Sequence, residues 1–135
     1  VVALEHDPMI SEAEELLTIA SNIVIKLPCT VEGLKACKTL SDRGVKVNMT
    51  LCFQPLQAMM VAKAGAFLVS PFLGRIDDIS GDGMELIQQI RTIYDNYGYT
   101  TKILSASIRN PLHLVQCARR NGDGAPGCPF HRAYN

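Results

Sequence analysis

The chain has 135 residues, 47% of them hydrophobic and 19% charged, a composition that predicts one soluble globular domain over residues 1–135. Lysine plus arginine and aspartate plus glutamate number 13 each, so no net charge would recruit nucleic acid or an anionic membrane surface. With neither a cationic leader nor an apolar stretch near the ~20 residues that span a bilayer, we expect a cytoplasmic protein whose partners are small molecules or other protein chains.

The cysteines and histidines do not predict a metal centre. The five cysteines are scattered, no two form a C-x-x-C pair, and none of the three histidines lies at ligand spacing from them. Reduced, mostly buried thiols are expected. The glycine-rich fingerprints of dinucleotide and P-loop sites are also missing, so we expect no metal and no cofactor.

Short strands and longer helices are predicted to alternate along the chain. Val1–Leu4 lacks an initiator Met and looks like the end of a strand, which suggests a fragment, and Ser11 with Glu14 has the form of a capping box for a helix running toward Asn22. The later elements are a strand at 22–28, a helix capped by Thr30 and ended by Gly44, a strand at 45–52, a helix from Pro55 to Gly65, a strand at 66–72, a helix from Gly83 to Gly98, a strand at 102–108 and a helix from Pro111 to Asn121. This alternation predicts an α/β fold with a parallel sheet.

Lys26 stands out because it lies within the apolar run 22–28. A free lysine has a pKa near ~10.4, and burial can lower such a value by roughly 3–5 units, which prepares an amine to form a Schiff base with a carbonyl substrate. A buried Lys26 would therefore be nucleophilic, but its position alone favours the plainer alternative. That alternative is an edge-strand lysine whose stem packs while its ammonium group reaches water.

Polar residues recur on one face near the carboxyl ends of the later strands. The period of two places Val47, Met49 and Leu51 on one face and Lys46, Asn48 and Thr50 on the other, and it groups Leu68 with Ser70 and Phe72, and Ile103 with Ser105, Ser107 and Arg109. The residues expected to converge at that edge are Lys26, Asn48, Thr50, Ser70, Arg75, Ser107 and Arg109. An amine, hydroxyls and two guanidinium groups suit a phosphorylated carbonyl substrate. Helix caps and turns for the hydroxyl residues, and a surface ion pair of Arg75 with Asp77 or Asp78, are the alternatives.

Five segments, in order, resemble the small transaldolases, relatives of fructose-6-phosphate aldolase. They are Ile23-Val-Ile-Lys-Leu-Pro28, Asn48-Met-Thr50, Ala62-Lys-Ala-Gly-Ala66, Val69-Ser-Pro-Phe-Leu-Gly-Arg-Ile-Asp-Asp78 and Ser105-Ala-Ser-Ile-Arg-Asn-Pro111. The resemblance implies a (β/α)8 barrel and metal-free Schiff-base chemistry. Only about five strands are countable, so the expected fold is a partial (β/α)8 TIM barrel of parallel strands.

The resemblance also implies roles for individual residues. Lys26 matches the Schiff-base lysine, Thr50 the threonine that helps hold the catalytic water, and Asn48 a substrate-binding asparagine. The positions expected to bind the sugar and its phosphate are Ser70, Arg75, Ser107 and Arg109. Phe72 occupies the position where transaldolases typically have Phe and fructose-6-phosphate aldolases have Tyr, which favours transfer between sugar phosphates over aldol cleavage.

The chain departs from the family pattern at both ends. The first two strands and the acid-base residue of the third are not found, and a glycine-rich segment at 121–129 stands where a seventh strand is expected. A non-catalytic fragment that binds phosphosugars is therefore an alternative to transaldolase, as is fructose-6-phosphate aldolase. Open strand edges favour pairing, so we expect a homo-oligomer or a complementing chain.

Overall fold

The computed structural model describes residues 1–120, which form four parallel strands and six helices that alternate, except that two helices follow the third strand. The strands are β1 (Ile25–Pro28), β2 (Val47–Cys52), β3 (Leu68–Pro71) and β4 (Lys102–Ile103), and they lie side by side in chain order. The helices are α1 (His6–Leu17), α2 (Val31–Asp42), α3 (Pro55–Lys63), α4 (Leu73–Asp77), α5 (Gly83–Tyr97) and α6 (Pro111–Arg120). The predicted α/β class with a parallel sheet is confirmed. None of these helices is long and apolar enough to cross a bilayer.

One face of the sheet forms the core with the helices. Ile25 pairs with Val47 and Leu27 with Met49, and all four side chains are buried. Residues paired in a parallel ladder share a face, so this set turns one apolar surface toward the helices. Burying one such side chain contributes about 1.5–3 kcal/mol, which is why the register of these strands is well determined.

The first helix begins earlier than predicted. Ser11 lies inside α1, where its hydroxyl donates to the carbonyl of Asp7, so it forms no capping box with Glu14. A serine bonded to the carbonyl four residues before it is compatible with a helix interior, whereas Pro8 in the first turn favours the earlier start. The predicted helix start and its extension toward Asn22 are both wrong.

The remaining helix boundaries follow local signals. Thr30 accepts a hydrogen bond from the amide of Gly33 at 3.0 Å, as a helix N-cap should. Gly44 lies beyond α2 with a φ of +79°, a conformation that glycine adopts without strain. The short helix α4 was not predicted.

Four strands are present among residues 1–120, rather than about five. Residues 1–4 form no strand, although the N-terminal amino group lies 3.5 Å from the carbonyl oxygen of Lys26 and the carboxylate of Glu12 accepts from the amides of Val2 and Ala3. The predicted strand at 102–108 shortens to β4. The glycine-rich segment at 121–129 lies outside the described residues.

Candidate active site

Lys26 lies on the face of the sheet opposite the core. Its neighbours Ile25 and Leu27 are buried toward the helices, whereas Lys26 itself is exposed. A buried lysine is therefore not observed among residues 1–120, and the plainer alternative of an exposed amine holds there. Ile25 and Leu27 face the core because the side chains of a strand alternate between its two faces, and the described residues do not cover the other face at Lys26.

Asn48 lies directly beside Lys26 in the register of β1 and β2. The hydroxyl of Ser70, on β3, donates to Oδ1 of Asn48 at 2.8 Å, and both residues are buried. A buried hydrogen bond of this kind contributes about 1 kcal/mol and fixes both side chains. The structure thus brings Lys26, Asn48 and Ser70 to adjacent strands.

Thr50 lies two residues beyond Asn48, with its backbone paired to Pro28. Its Oγ1 is buried and has no hydrogen-bond partner among the described residues. An unpaired buried hydroxyl costs about 1–3 kcal/mol, and such atoms call for a specific explanation. A bound water or a substrate oxygen would provide the missing partner.

The end of β2 contains an irregularity that the sequence did not predict. Leu51 has a φ of +60°, and the register with β3 shifts between Met49 and Cys52. Leu51 is consequently exposed and Cys52 takes the core position, so the predicted grouping of Leu51 with Val47 and Met49 is wrong. Bulges of this kind re-aim side chains near active sites.

The aromatic residues beyond the bulge contact each other. The rings of Phe53 and Phe72 meet edge to face, with centroids 5.6 Å apart. Phe72 also forms an isolated bridge with Ala106, beyond the end of β4. The ring contact with Phe53 and the backbone bridge to Ala106 therefore fix Phe72 at the carboxyl edge of the sheet.

The chain from Ser107 to Asn110 packs closely on α4. Ser107 has a φ of +62°, which ends the alternation that was predicted to align it with Ile103. A Cβ atom placed on Gly74 would lie 1.9 Å from the carbonyl oxygen of Ser107. Only glycine permits this approach, which brings Arg109 beside the end of α4.

The two arginines predicted to bind phosphate meet at one carboxylate. Nε and Nη2 of Arg109 lie 3.1 Å and 2.6 Å from the two oxygens of Asp78, and Nη1 of Arg75 lies 3.9 Å from Asp78. The Arg109 guanidinium lowers the pKa of Asp78, so this carboxylate is ionised at neutral pH. The three side chains are partly open to solvent. The surface ion pair expected as the alternative for Arg75 is therefore present.

Sequence analysis did not predict the contact between His113 and Asp77 that joins this region. Nε2 of His113 lies 3.0 Å from the carboxylate of Asp77, and Nδ1 lies 3.3 Å from the amide nitrogen of Arg109. The only sequence signal is spacing, since His113 follows Arg109 by one helical turn. No group of three His, Cys, Asp or Glu residues between positions 1 and 120 could hold a metal ion.

The sequence matches the family described as Transaldolase/Fructose-6-phosphate aldolase over residues 1–121. A protein of Geotalea daltonii named "Probable transaldolase" is 65% identical over 125 residues, which cover 93% of this chain and 58% of the relative. Another of that name, from Dinoroseobacter shibae, is 57% identical over 129 residues, covering 96% and 59%. The chain therefore spans a little over half the length of these relatives.

The fold resembles that of a solved structure named as a fructose-1,6-biphosphate aldolase from Coccidioides immitis. The TM-score is 0.59 at 15% sequence identity, and the match covers 88% of this chain and 46% of the other. At this identity the likeness concerns the fold alone. It agrees with the parallel sheet in chain order, and the described residues form a partial barrel.

Proposed function

Because this chain belongs to the transaldolase/fructose-6-phosphate aldolase family, we propose that it carries the Schiff-base part of a transaldolase active site. The proposed reaction moves a dihydroxyacetone unit, converting sedoheptulose 7-phosphate and glyceraldehyde 3-phosphate to erythrose 4-phosphate and fructose 6-phosphate. The observation that carries the proposal is the placement of Lys26 beside Asn48, with the unpaired hydroxyl of Thr50 two residues further along.

Lys26 is the proposed nucleophile. In the reverse direction its neutral amine attacks the ketone carbon of fructose 6-phosphate, and loss of water leaves an imine. The C4 hydroxyl then gives its proton to water and the C3–C4 bond breaks, sending its electron pair toward the protonated imine at C2, which leaves an enamine on Lys26 and releases glyceraldehyde 3-phosphate. The enamine carbon then attacks the aldehyde of erythrose 4-phosphate, and water frees Lys26 and sedoheptulose 7-phosphate.

The neighbouring polar groups have proposed roles in this cycle. Asn48, whose amide is fixed by Ser70, orients the substrate beside the imine. The hydroxyl of Thr50 holds the water that hydrolyses the imine, which would satisfy an otherwise unpaired buried group. Ser70 contributes to sugar binding through the same pair.

The phosphate is proposed to bind at Arg75, Ser107 and Arg109. Both guanidinium groups already lie at one anionic group, Asp78, so this place attracts negative charge. A phosphate would share or replace the contacts that Asp78 makes. Phe72 lacks a hydroxyl to move a proton, and on that basis transfer is favoured over the simple cleavage of fructose-6-phosphate aldolase.

The exposure of Lys26 favours a second candidate, a fragment that binds phosphosugars without turnover. An exposed Lys26 lacks the water-excluding surroundings that protect an imine from premature hydrolysis. Within residues 1–120, β1 and β4 each pair on one side only, so a second copy or a complementing chain could cover these edges. The proposed setting is the cytoplasm, in the pentose phosphate pathway, without nucleic-acid or membrane partners.

A coupled acceptor assay separates these candidates. Fructose 6-phosphate is supplied with and without erythrose 4-phosphate, and glyceraldehyde 3-phosphate and sedoheptulose 7-phosphate are quantified for the chain and for Lys26→Arg. Without the acceptor, a transaldolase releases at most one equivalent of glyceraldehyde 3-phosphate per chain and forms sedoheptulose 7-phosphate only when the acceptor is present, whereas an aldolase continues to form glyceraldehyde 3-phosphate without it. Equal traces from the chain and Lys26→Arg would show that the chain is not catalytic.

A further inference from the structure

A buried histidine connects the arginine of the proposed phosphate site to two helices. The side chain of His113 is 11% exposed and lies between Asp77, at the end of α4, and the backbone of Arg109. Neither Asp77 nor His113 has a role in the proposed reaction. Their contacts nevertheless lead to Arg109, which is proposed to bind the substrate phosphate.

The hydrogen bonds determine which nitrogen of His113 carries the proton. The amide of Arg109 can only donate, so Nδ1 of His113, 3.3 Å away, must be an unprotonated acceptor. The neutral ring therefore carries its hydrogen on Nε2, which lies 3.0 Å from the Asp77 carboxylate. This tautomer satisfies both neighbours at once, and the other satisfies neither.

Asp77 is itself held in place. Its second oxygen accepts from the amide of Gly83 at 2.8 Å, at the first residue of the long helix α5. Because one oxygen is fixed by backbone and the other by the imidazole, the orientation of the ring follows from the position of α5. The ring is thereby fixed relative to the core, not only to its own helix.

The other contacts of His113 are those of a helix start. The side chain of Asn110 accepts from the amide of His113 at 3.0 Å, which caps α6, while the ring of His113 reaches back to the amide of Arg109. A cap alone would stabilise α6. Here the same ring also fixes the backbone from which the Arg109 guanidinium extends toward Asp78.

We propose that His113, held by Asp77 as the Nε2-protonated tautomer, is a positioning residue that sets the backbone of Arg109 for phosphate binding. This rests on the proposed function insofar as Arg109 binds the substrate phosphate. Its structural part, the tautomer and the connection through Asp77, does not depend on that role.

Three substitutions test the contact of Nδ1 with Arg109 and the contact of Nε2 with Asp77 separately. In His113→Asn the amide oxygen stands near the place of Nδ1 and can still accept from Arg109, whereas in His113→Gln the amide reaches toward Asp77 and leaves Arg109 without an acceptor. Asp77→Asn keeps one oxygen for Gly83 but turns an N–H toward Nε2. The ring must then protonate Nδ1, which opposes the donor of Arg109.

The first measurement is fructose 6-phosphate affinity by calorimetry. Loss of one hydrogen bond of about 1 kcal/mol predicts roughly fivefold weaker binding for His113→Gln and Asp77→Asn, and wild-type affinity for His113→Asn. Thr30→Ala, which removes the cap of α2 instead, serves as a stability control and should not alter affinity. If the His113 variants lose stability but all bind fructose 6-phosphate like the wild type, His113 is only a helix cap and the proposal is overturned.

The second measurement needs no substrate. Side-chain ¹⁵N NMR of the full chain, assigned with His113→Gln, should show an unprotonated Nδ1 and a protonated Nε2 for His113, and the reverse in Asp77→Asn. Finding the Nδ1-protonated form in the wild type would overturn the proposal. Arg109→Gln distinguishes the two hypotheses, because unchanged affinity in that variant refutes the phosphate role of Arg109 and leaves the tautomer result standing.

Discussion

The close approach of α4 to the Ser107–Asn110 segment predicts a large effect for Gly74→Ala. The new Cβ would lie 1.9 Å from the carbonyl oxygen of Ser107 and 2.8 Å from Cγ of Arg109, whereas ordinary contact begins near 3.4 Å. The overlap of about 1.5 Å falls on backbone, so the segment must move as a unit. Overpacking typically costs about 1–3 kcal/mol, and we expect a loss of unfolding free energy near the upper value, about 3 kcal/mol.

Gly44→Ala is the matched control. The substitution adds the same methyl group at Gly44, but a Cβ there meets nothing within 4 Å. The only cost is that alanine must adopt a φ of +79°, which is strained for any residue with a Cβ. We expect about 1 kcal/mol from that strain. Urea denaturation gives both values, and fructose 6-phosphate calorimetry should show at least roughly tenfold weaker binding for Gly74→Ala alone. Equal stability losses together with unchanged affinity would refute the reasoning.

Three further predictions concern single side chains. Thr50→Val should lower transfer activity, because it removes the hydroxyl proposed to hold the hydrolytic water, while changing the unfolding free energy in urea by no more than about 1 kcal/mol; wild-type transfer activity in this variant would contradict this. Thr30→Ala should lose about 1 kcal/mol in the same measurement through the lost cap at Gly33, and no change would mean that the cap contributes nothing. Burial raises the pKa of the Cys52 thiol to about 12, so from about pH 9 the unfolded chain loses a proton that the folded chain keeps. Stability in urea should therefore fall between pH 9 and pH 10 more steeply than in Cys52→Ala, and equal slopes would exclude this contribution.

Local chemistry made much of the fold predictable. The cap at Thr30, the helix end at Gly44 and the helix start at Pro55 depend on contacts within a few residues, which the sequence displays directly. The faces of β1 and the first part of β2 followed from the period of two. Family resemblance added the roles of Lys26 and its neighbours, which remain predictions.

Apart from the bounds of the first helix, the errors arise where distant parts of the chain meet. The bulge at Leu51 and the left-handed turn at Ser107 interrupt an alternation that a sequence pattern assumes to continue. The exposure of Lys26 depends on what covers the face of the sheet opposite the core, and no local sequence pattern describes that. The link from Asp77 to His113 joins residues far apart in sequence and lacks any motif.

The central claim is that Lys26 is the Schiff-base amine, and covalent trapping tests it directly. The full chain is incubated with fructose 6-phosphate and borohydride, digested, and mapped by mass spectrometry, with Lys26→Arg and the exposed-lysine variant Lys35→Arg as controls. The account predicts a reduced three-carbon or six-carbon adduct on the peptide containing Lys26, present in Lys35→Arg and lost in Lys26→Arg. An adduct spread over several lysines, or none at Lys26, would contradict it.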